Sequence, residues 1–286
     1  MGGKLIIAGG NLEFCDKEIH KILVDHAIKL GGKLAIVPTA SGFEPFESIK
    51  YVVELWKGLG VKDEDIVALP VYGEEGSSWQ EPAQGDDPKI ISMLDGVVAF
   101  WFTGGDQYYT HKAFIRKDLT DTVALKKMKE VYKNGGVIGG TSAGAAIMSE
   151  VMIASGSNDT ALSKEIKYGY ETYDENEEDS GLRIVRGLGF FTDGVVDQHY
   201  DRRSRLLRTI KTVMNAEGLY FGYGVSEDTA MIYDRDTKDI TVAGSGGIYI
   251  MDLRKTKSGQ SNNKYVCSDV TLNIIQKGDT FNQWSV

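Results

Sequence analysis

Residues 137–148 read Val137-Ile138-Gly139-Gly140-Thr141-Ser142-Ala143-Gly144-Ala145-Ala146-Ile147-Met148. An apolar run meets Gly-Thr-Ser-Ala-Gly and then a helix-compatible stretch, which is the G-x-S-x-G pattern of a nucleophile elbow. A strand that reverses into a helix within one residue forces the central residue into a strained turn, and any larger flanking Cβ would clash across it. The serine hydroxyl is thereby pushed into the open. The amide of Ala143 then points from a helix N-terminus toward an oxyanion formed on a substrate carbonyl. A small-residue turn that merely packs a helix against a sheet has the same spelling, so the surrounding sequence has to decide.

On the N-terminal side, short apolar runs alternate with amphipathic segments, the pattern of a mainly parallel sheet covered by helices. Residues 4–9, 33–38, 65–72, 96–103 and 137–140 read as strands, and 16–31, 45–59, 87–94 and 122–134 carry helical spacing. Asp16 and Glu44 are placed to begin two helices; Gly31-Gly32 and Gly58 are placed to close two. Near-continuous apolar character implies strands buried on both faces, and ligands of such sheets sit at the strands' carboxyl ends. Gly9-Gly10, Thr39-Ala40-Ser41, Thr103-Gly104-Gly105-Asp106-Gln107 and Thr141-Ser142 all fall at such ends, so one crevice is expected there. None of them is a dinucleotide or P-loop fingerprint. On the C-terminal side, from residue 219 to 286, period-two alternation takes over in 229–234, 240–243, 247–251 and 270–275. It predicts an antiparallel β extension of the main sheet or a small second sheet. No Pro-, Gly- or Ser-rich linker separates it, and residues 1–286 are expected to form a single α/β domain.

A chain of 286 residues, 42% hydrophobic and 26% charged, is ordinary globular composition. A formal net charge of −9 argues against nonspecific binding to nucleic acid or anionic membrane. Cys15 and Cys267 are too far apart for a metal motif and too few for a disulfide framework, and the four histidines lack paired spacing, so neither metal nor cofactor is expected. No stretch approaches the length of a membrane span, and the apolar start at residues 4–8 is too short for a signal-peptide core. A cytoplasmic protein is expected, or a secreted one whose signal peptide has been removed. The acidic segment 171–179 reads as a solvated insertion.

A serine nucleophile needs a base, and the base needs an orienting acid. His199 ends Val195-Val196-Asp197-Gln198-His199, an apolar strand that turns polar at its exit as the elbow strand does. Glu227, in Gly224-Val225-Ser226-Glu227-Asp228-Thr229, lies where another strand leaves the core; Asp159 is the rival acid, nearer Ser142 in the chain but in a polar loop. Glu227 is preferred because a triad acid must be rigidly held. Directly after His199 a helix is expected to begin within Asp201–Arg208, with Arg205 and Arg208 on one face and Arg203 in the turn leading into it. Clustered guanidinium groups suit carboxylates, which they hold bidentately; a solvated basic face is the plainer alternative.

Together, Thr103–Gln107, Gly140–Gly144, Asp197–His199 with Arg203, Arg205 and Arg208, and Gly224–Thr229 resemble, in the same order, the cyanophycinases of the dipeptidase E (S51) serine peptidase family. The resemblance runs from the first strand to Gly278-Asp279, and implies a flavodoxin-like fold related to class I glutamine amidotransferases, with serine in place of the elbow cysteine. It implies Ser142 as nucleophile, His199 as base, Glu227 as orienting acid, and the amides of Gly105 and Ala143 as oxyanion hole. Gln107, Asp197, Gln198, Arg203, Arg205 and Arg208 would line the substrate pocket, with the arginines holding α-carboxylates and Asp197 receiving guanidinium. The implied substrate is cyanophycin, a poly-aspartate carrying arginine on each β-carboxyl, and the product β-Asp-Arg; a homodimer is implied as well. An aspartyl dipeptidase for short Asp-X peptides, or a noncatalytic binder of such peptides, would use the same scaffold. An unperturbed imidazole base would make activity rise through about pH 6.5.

Overall fold

The computed structural model describes residues 2–42, 45–72, 84–163, 165–169, 181–262 and 264–285. The acidic segment 171–179 and the expected helix start at Glu44 lie outside the described residues. From the N-terminus run β1 (Lys4–Ala8), α1 (Asp16–Leu30), β2 (Lys33–Val37), α2 (Phe46–Gly58), β3 (Ile66–Ala68), α3 (Pro88–Met93), β4 (Val97–Phe102), α4 (Gln107–Phe114), α5 (Val123–Lys133) and β5 (Val137–Thr141). Four of these helices match the helical spacing read above. Asp87 caps α3 and Thr122 caps α5 with their side chains, and Gly31 closes α1 in the left-handed region at φ 69°. At the end of α2 the expected Gly58 is still helical; Gly60, at φ 94°, takes the left-handed turn instead. The third strand is shorter than its apolar run.

The five strands run parallel in the order β3-β2-β4-β5-β1. The chain's first strand therefore stands at the end of the parallel run, beside β5, and not at its centre. Along β1, Leu5 and Ile7 face one core with Phe100, Ile138 and Tyr223, whereas Ile6 and Ala8 face another with Leu23, Trp56 and Trp101. Burial on both faces is why these strands read as unbroken apolar runs.

After the elbow come α6 (Ala143–Ala146), β6 (Val151–Ser155), α7 (Asn158–Ser163), β7 (Lys167–Tyr168), β8 (Arg183–Arg186), β9 (Val195–Asp197), α8 (Leu206–Met214) and β10 (Phe221–Val225). The chain ends in β11 (Thr229–Asp234), β12 (Ile240–Gly244), β13 (Gly247–Asp252), β14 (Lys257–Ser261), β15 (Lys264–Ser268), β16 (Thr271–Gln276) and β17 (Thr280–Phe281). Both forms of the expected β extension occur. β11, β12 and β17 continue the main sheet antiparallel from β1, giving eight strands, while β16-β13-β10-β9 form a separate four-stranded sheet. Two further details differ from the sequence reading. The helix after the elbow is a single turn, and the helix expected directly after His199 begins only at Leu206. No helix among the described residues is long and apolar enough to cross a membrane.

Candidate active site

Ser142 adopts φ 55°, ψ −111°, outside the regions a side-chain-bearing residue prefers. The strain is enforced on both sides. A Cβ on Gly140 would lie 2.5 Å from Gly144 O, and one on Gly144 would lie 2.2 Å from Phe102 O. The Ser142 amide donates to Ala8 O at 3.0 Å, tying the turn to the end of β1. Gly104, at the exit of β4, passes close beside it: a Cβ there would stand 3.5 Å from the Ser142 Cβ. Gly105 follows at φ 130°, pressed so closely on the Ala40 carbonyl that a Cβ would come within 1.9 Å of it. The Thr39–Ser41, Thr103–Gln107 and Thr141–Ser142 exits therefore meet at one edge, and the Gly9-Gly10 exit joins them through His199.

His199 comes from the other sheet. It sits at φ 48°, its own amide donates to Gly9 O at 2.7 Å, and the next amide, of Tyr200, donates to Val225 O at 3.1 Å. The residue thus spans from the exit of β1 to the end of β10. Gly10, at φ 111°, lies directly against its ring, and a Cβ there would be 2.3 Å from Cε1. Glu227 occupies the short crossing from β10 back to β11. Its Oε1 accepts from His199 Nδ1 at 2.6 Å, which leaves Nε2 as the acceptor facing Ser142 Oγ at 2.8 Å. Asp159, the alternative acid, is exposed at the start of α7; its neighbour Asn158 instead caps α8, accepting from the amides of Leu207 and Arg208.

Burial pushes the His199 imidazole below its ordinary value, against the opposing pull of its Glu227 hydrogen bond, and Arg203 and Arg205 add to the lowering. For Glu227, burial acts upward but is outweighed by the hydrogen bonds from His199 and Asn11, so the carboxylate is held below the usual range. The pair is arranged as neutral imidazole beside ionised carboxylate.

The arginines were expected to line a substrate pocket, and Arg205 and Arg208 are found paired with Asp197. Asp197 is 2% exposed; it accepts from Arg208 Nε at 2.7 Å and Nη2 at 2.5 Å, and from Arg205 Nη1 at 3.2 Å. Thr209 Oγ1 and the Gln198 amide also donate to it. Arg205 and Arg208 are themselves buried and donate further to Gln198 O and Gly156 O. A buried carboxylate is tolerated only when fully paired, and these groups satisfy one another. Arg203 lies in the exposed turn before α8, Gln198 is buried, and Gln107 opens α4 with its amide donating to Ile153 O and Ala154 O.

Sequence reasoning missed Asn11, whose Nδ2 donates to Glu227 Oε2 at 3.0 Å, and Asp201, whose Oδ1 accepts the Glu227 amide at 2.9 Å. It also read Asp16 only as a helix start. Asp16, His20, Tyr51 and Trp101 wall a cavity of about 330 Å³ that opens beside Gly104 and Thr141. Behind its wall the buried Trp56 donates to His20 Nδ1; His20 Nε2 lies 3.2 Å from Asp16, and Tyr51 donates to the other Asp16 oxygen. A larger cavity of about 590 Å³, between α7, α8 and the β14–β15 hairpin, shares no lining residue with this site among the described residues.

A family model for peptidase family S51 matches residues 5–241. The chain belongs to peptidase family S51. It is a serine-type peptidase, and it resembles cyanophycinases along almost its whole length. It is 26% identical over 288 aligned residues to the cyanophycinase of Synechococcus elongatus, covering 97% of this chain and 78% of that one. Against the cyanophycinase of Geminocystis herdmanii it is 27% identical over 286, covering 98% and 93%. Its fold is like that of a peptidase from an acI-B1 actinobacterium, with a TM-score of 0.64 at 19% identity and 99% and 97% coverage.

Proposed function

We propose that the S51 peptidase acts as a cyanophycinase through Ser142, His199 and Glu227. The observation that carries this reading is the unbroken line from Ser142 Oγ through the His199 ring to Glu227, with spacings of 2.8 and 2.6 Å. Ser142 attacks the α-peptide carbonyl while His199 Nε2 takes its proton; the same nitrogen returns the proton to the leaving amine, and water then releases the acyl group by the reverse exchange. Glu227 fixes the Nδ1–H tautomer and stabilises the imidazolium as it forms. The amides of Gly105 and Ala143 are the proposed oxyanion donors, since both segments border Ser142. Cyanophycin is the proposed substrate because the similarity to cyanophycinases spans nearly the full chain.

A second reading, an aspartyl dipeptidase, draws support from the arginines. Arg205 and Arg208 are committed to Asp197, and Arg203 is the exposed member of the three. One carboxylate-binding arginine suffices for a short Asp-X peptide. The test is release of soluble dipeptide from insoluble cyanophycin, followed by mass spectrometry, with wild type and Ser142→Ala side by side. The expected outcome is β-Asp-Arg from wild type and a rate lower by roughly three orders of magnitude or more from the variant. Release from neither, with hydrolysis of Asp-X peptides by wild type, would replace the first reading by the second.

A further inference from the structure

Glu227 has two carboxylate oxygens, and only Oε1 faces His199. Oε2 accepts from Asn11 Nδ2, and Asn11 belongs to the loop that leaves β1. That loop meets the histidine and the acid at the same time. Gly9 O accepts the His199 amide, Gly10 packs under the imidazole, and Gly10 O accepts the Asp228 amide at 3.0 Å. Asp228, next to Glu227 and at φ 50°, turns its side chain the other way and takes the loop's amides. Its Oδ1 accepts from Glu13 at 3.2 Å, Phe14 at 3.0 Å and Cys15 at 2.8 Å, while Ser245 holds Oδ2. Loop and acid are therefore fastened reciprocally.

We propose that Asn11 is a positioning residue, acting through Glu227 to hold its carboxylate in the plane and direction that the His199 Nδ1–H requires. The role rests on the triad reading above, so its test must work without cyanophycin. A carboxylate held at one oxygen can swing about its last torsion, which is broad for an sp²-terminated side chain. Held at both, it presents one fixed acceptor. Asn11 also sits at φ 44°, where Asn, Asp and Gly are tolerated and other residues are strained. Asn11→Gly therefore removes the amide without imposing the backbone strain that alanine would.

The experiment measures the rate at which a small fluorophosphonate modifies Ser142, across pH, in wild type, Asn11→Gly and Asn11→Asp, together with the far-downfield proton resonance of His199 Nδ1–H. Asn11→Gly is expected to react roughly ten- to a hundredfold more slowly, with an unchanged thermal midpoint and a displaced or exchange-broadened resonance. Asn11→Asp keeps the shape but faces Glu227, whose other neighbours are His199, Asp201 and Arg202, with a second carboxyl; protonated, it can donate as asparagine does. Its rate relative to wild type is expected to rise as pH falls. A glycine variant reacting within about twofold of wild type with the resonance in place, or a flat aspartate-to-wild-type ratio across pH, would overturn the role. If Asn11→Gly does not fold, the aspartate ratio decides alone. Wild type that fails to react would count against Ser142 as nucleophile, while the resonance would still test Asn11.

Discussion

Two carboxylates flank His199, and the protein uses them in opposite ways. Asp197 lies two residues before it, with its side chain 2% exposed, and is held by two arginines, a threonine and a backbone amide. Glu227 reaches it from across the seam between the sheets, is 19% exposed, and makes one contact to the imidazole and one to Asn11. Burial acts upward on Asp197, yet Arg208 and Arg205 more than offset it and hold the carboxyl below its usual range. The first carboxylate is locked into the frame that carries β9 and α8 together. The second keeps one oxygen for the histidine. What separates the structural carboxylate from the one proposed to serve the chemistry is how many partners it has and whether any of them can change charge during a reaction.

The comparison breaks most sharply if Glu227 can be neutralised without loss. Glu227→Gln keeps the volume and the contact with Asn11 but removes the charge that stabilises the imidazolium and fixes its tautomer. The expected fall in kcat/KM is roughly 10³- to 10⁴-fold. Unfolding stability should fall far less than for Asp197→Asn, by roughly 1 kcal/mol, since the partly exposed carboxylate loses charge but keeps its neutral hydrogen bonds. Asp159→Asn, assayed beside it, should leave kcat/KM within about twofold; the reverse ranking would return the acid to α7.

Asp197→Asn should do the converse. Losing the charge leaves two buried guanidinium groups without a counterion, which typically destabilises by about 3–5 kcal/mol. Denaturant unfolding measures it. The sign of the pH dependence follows from the depressed pKa. The stabilisation is present in full above the unfolded-state value of about 3.9 and is lost as pH falls through the folded value. The stability gap between wild type and Asp197→Asn should therefore narrow in acid. A gap that stays constant down to about pH 3 would mean that Asp197 contributes packing and not charge.

The two carboxylates also mark the limit of what the sequence made legible. The parallel strands could be read because burial on both faces writes itself locally as unbroken apolar runs. Ser142 could be read because the elbow demands small residues at Gly140 and Gly144, and those demands are local as well. Glu227 was favoured over Asp159 by the rigidity of a strand exit, and it is the acid found against His199. The pairing of Arg205 and Arg208 with Asp197 could not be read, because whether a cation faces water or a buried carboxylate depends on how α8 docks on β9. Nor could Asn11. A single asparagine after Gly10 carries no periodic signal, and its partner is 216 residues away. The position of β11 beside β1 is equally nonlocal: alternation indicates a half-buried strand without naming its neighbour.

The smallest expected effect concerns the acid limb of activity. With an ordinary imidazole it would fall near pH 6.5, but burial lowers the His199 value, so the base form persists further into acid and the limb of kcat/KM should lie below that point. The neighbours act on it in opposite directions. Glu227 raises the value and Arg203 lowers it. Residual activity of Glu227→Gln should therefore show an acid limb moved further down, whereas Arg203→Ala should move it up toward the ordinary value. Arg205 lowers the value as well, but it is buried and paired with Asp197, whereas Arg203 stands in the exposed turn and can be removed without opening that pair. Limbs displaced in these two directions would show that His199 responds to the exposed charges around it. Identical limbs in wild type and both variants would mean that a group other than His199 governs the profile.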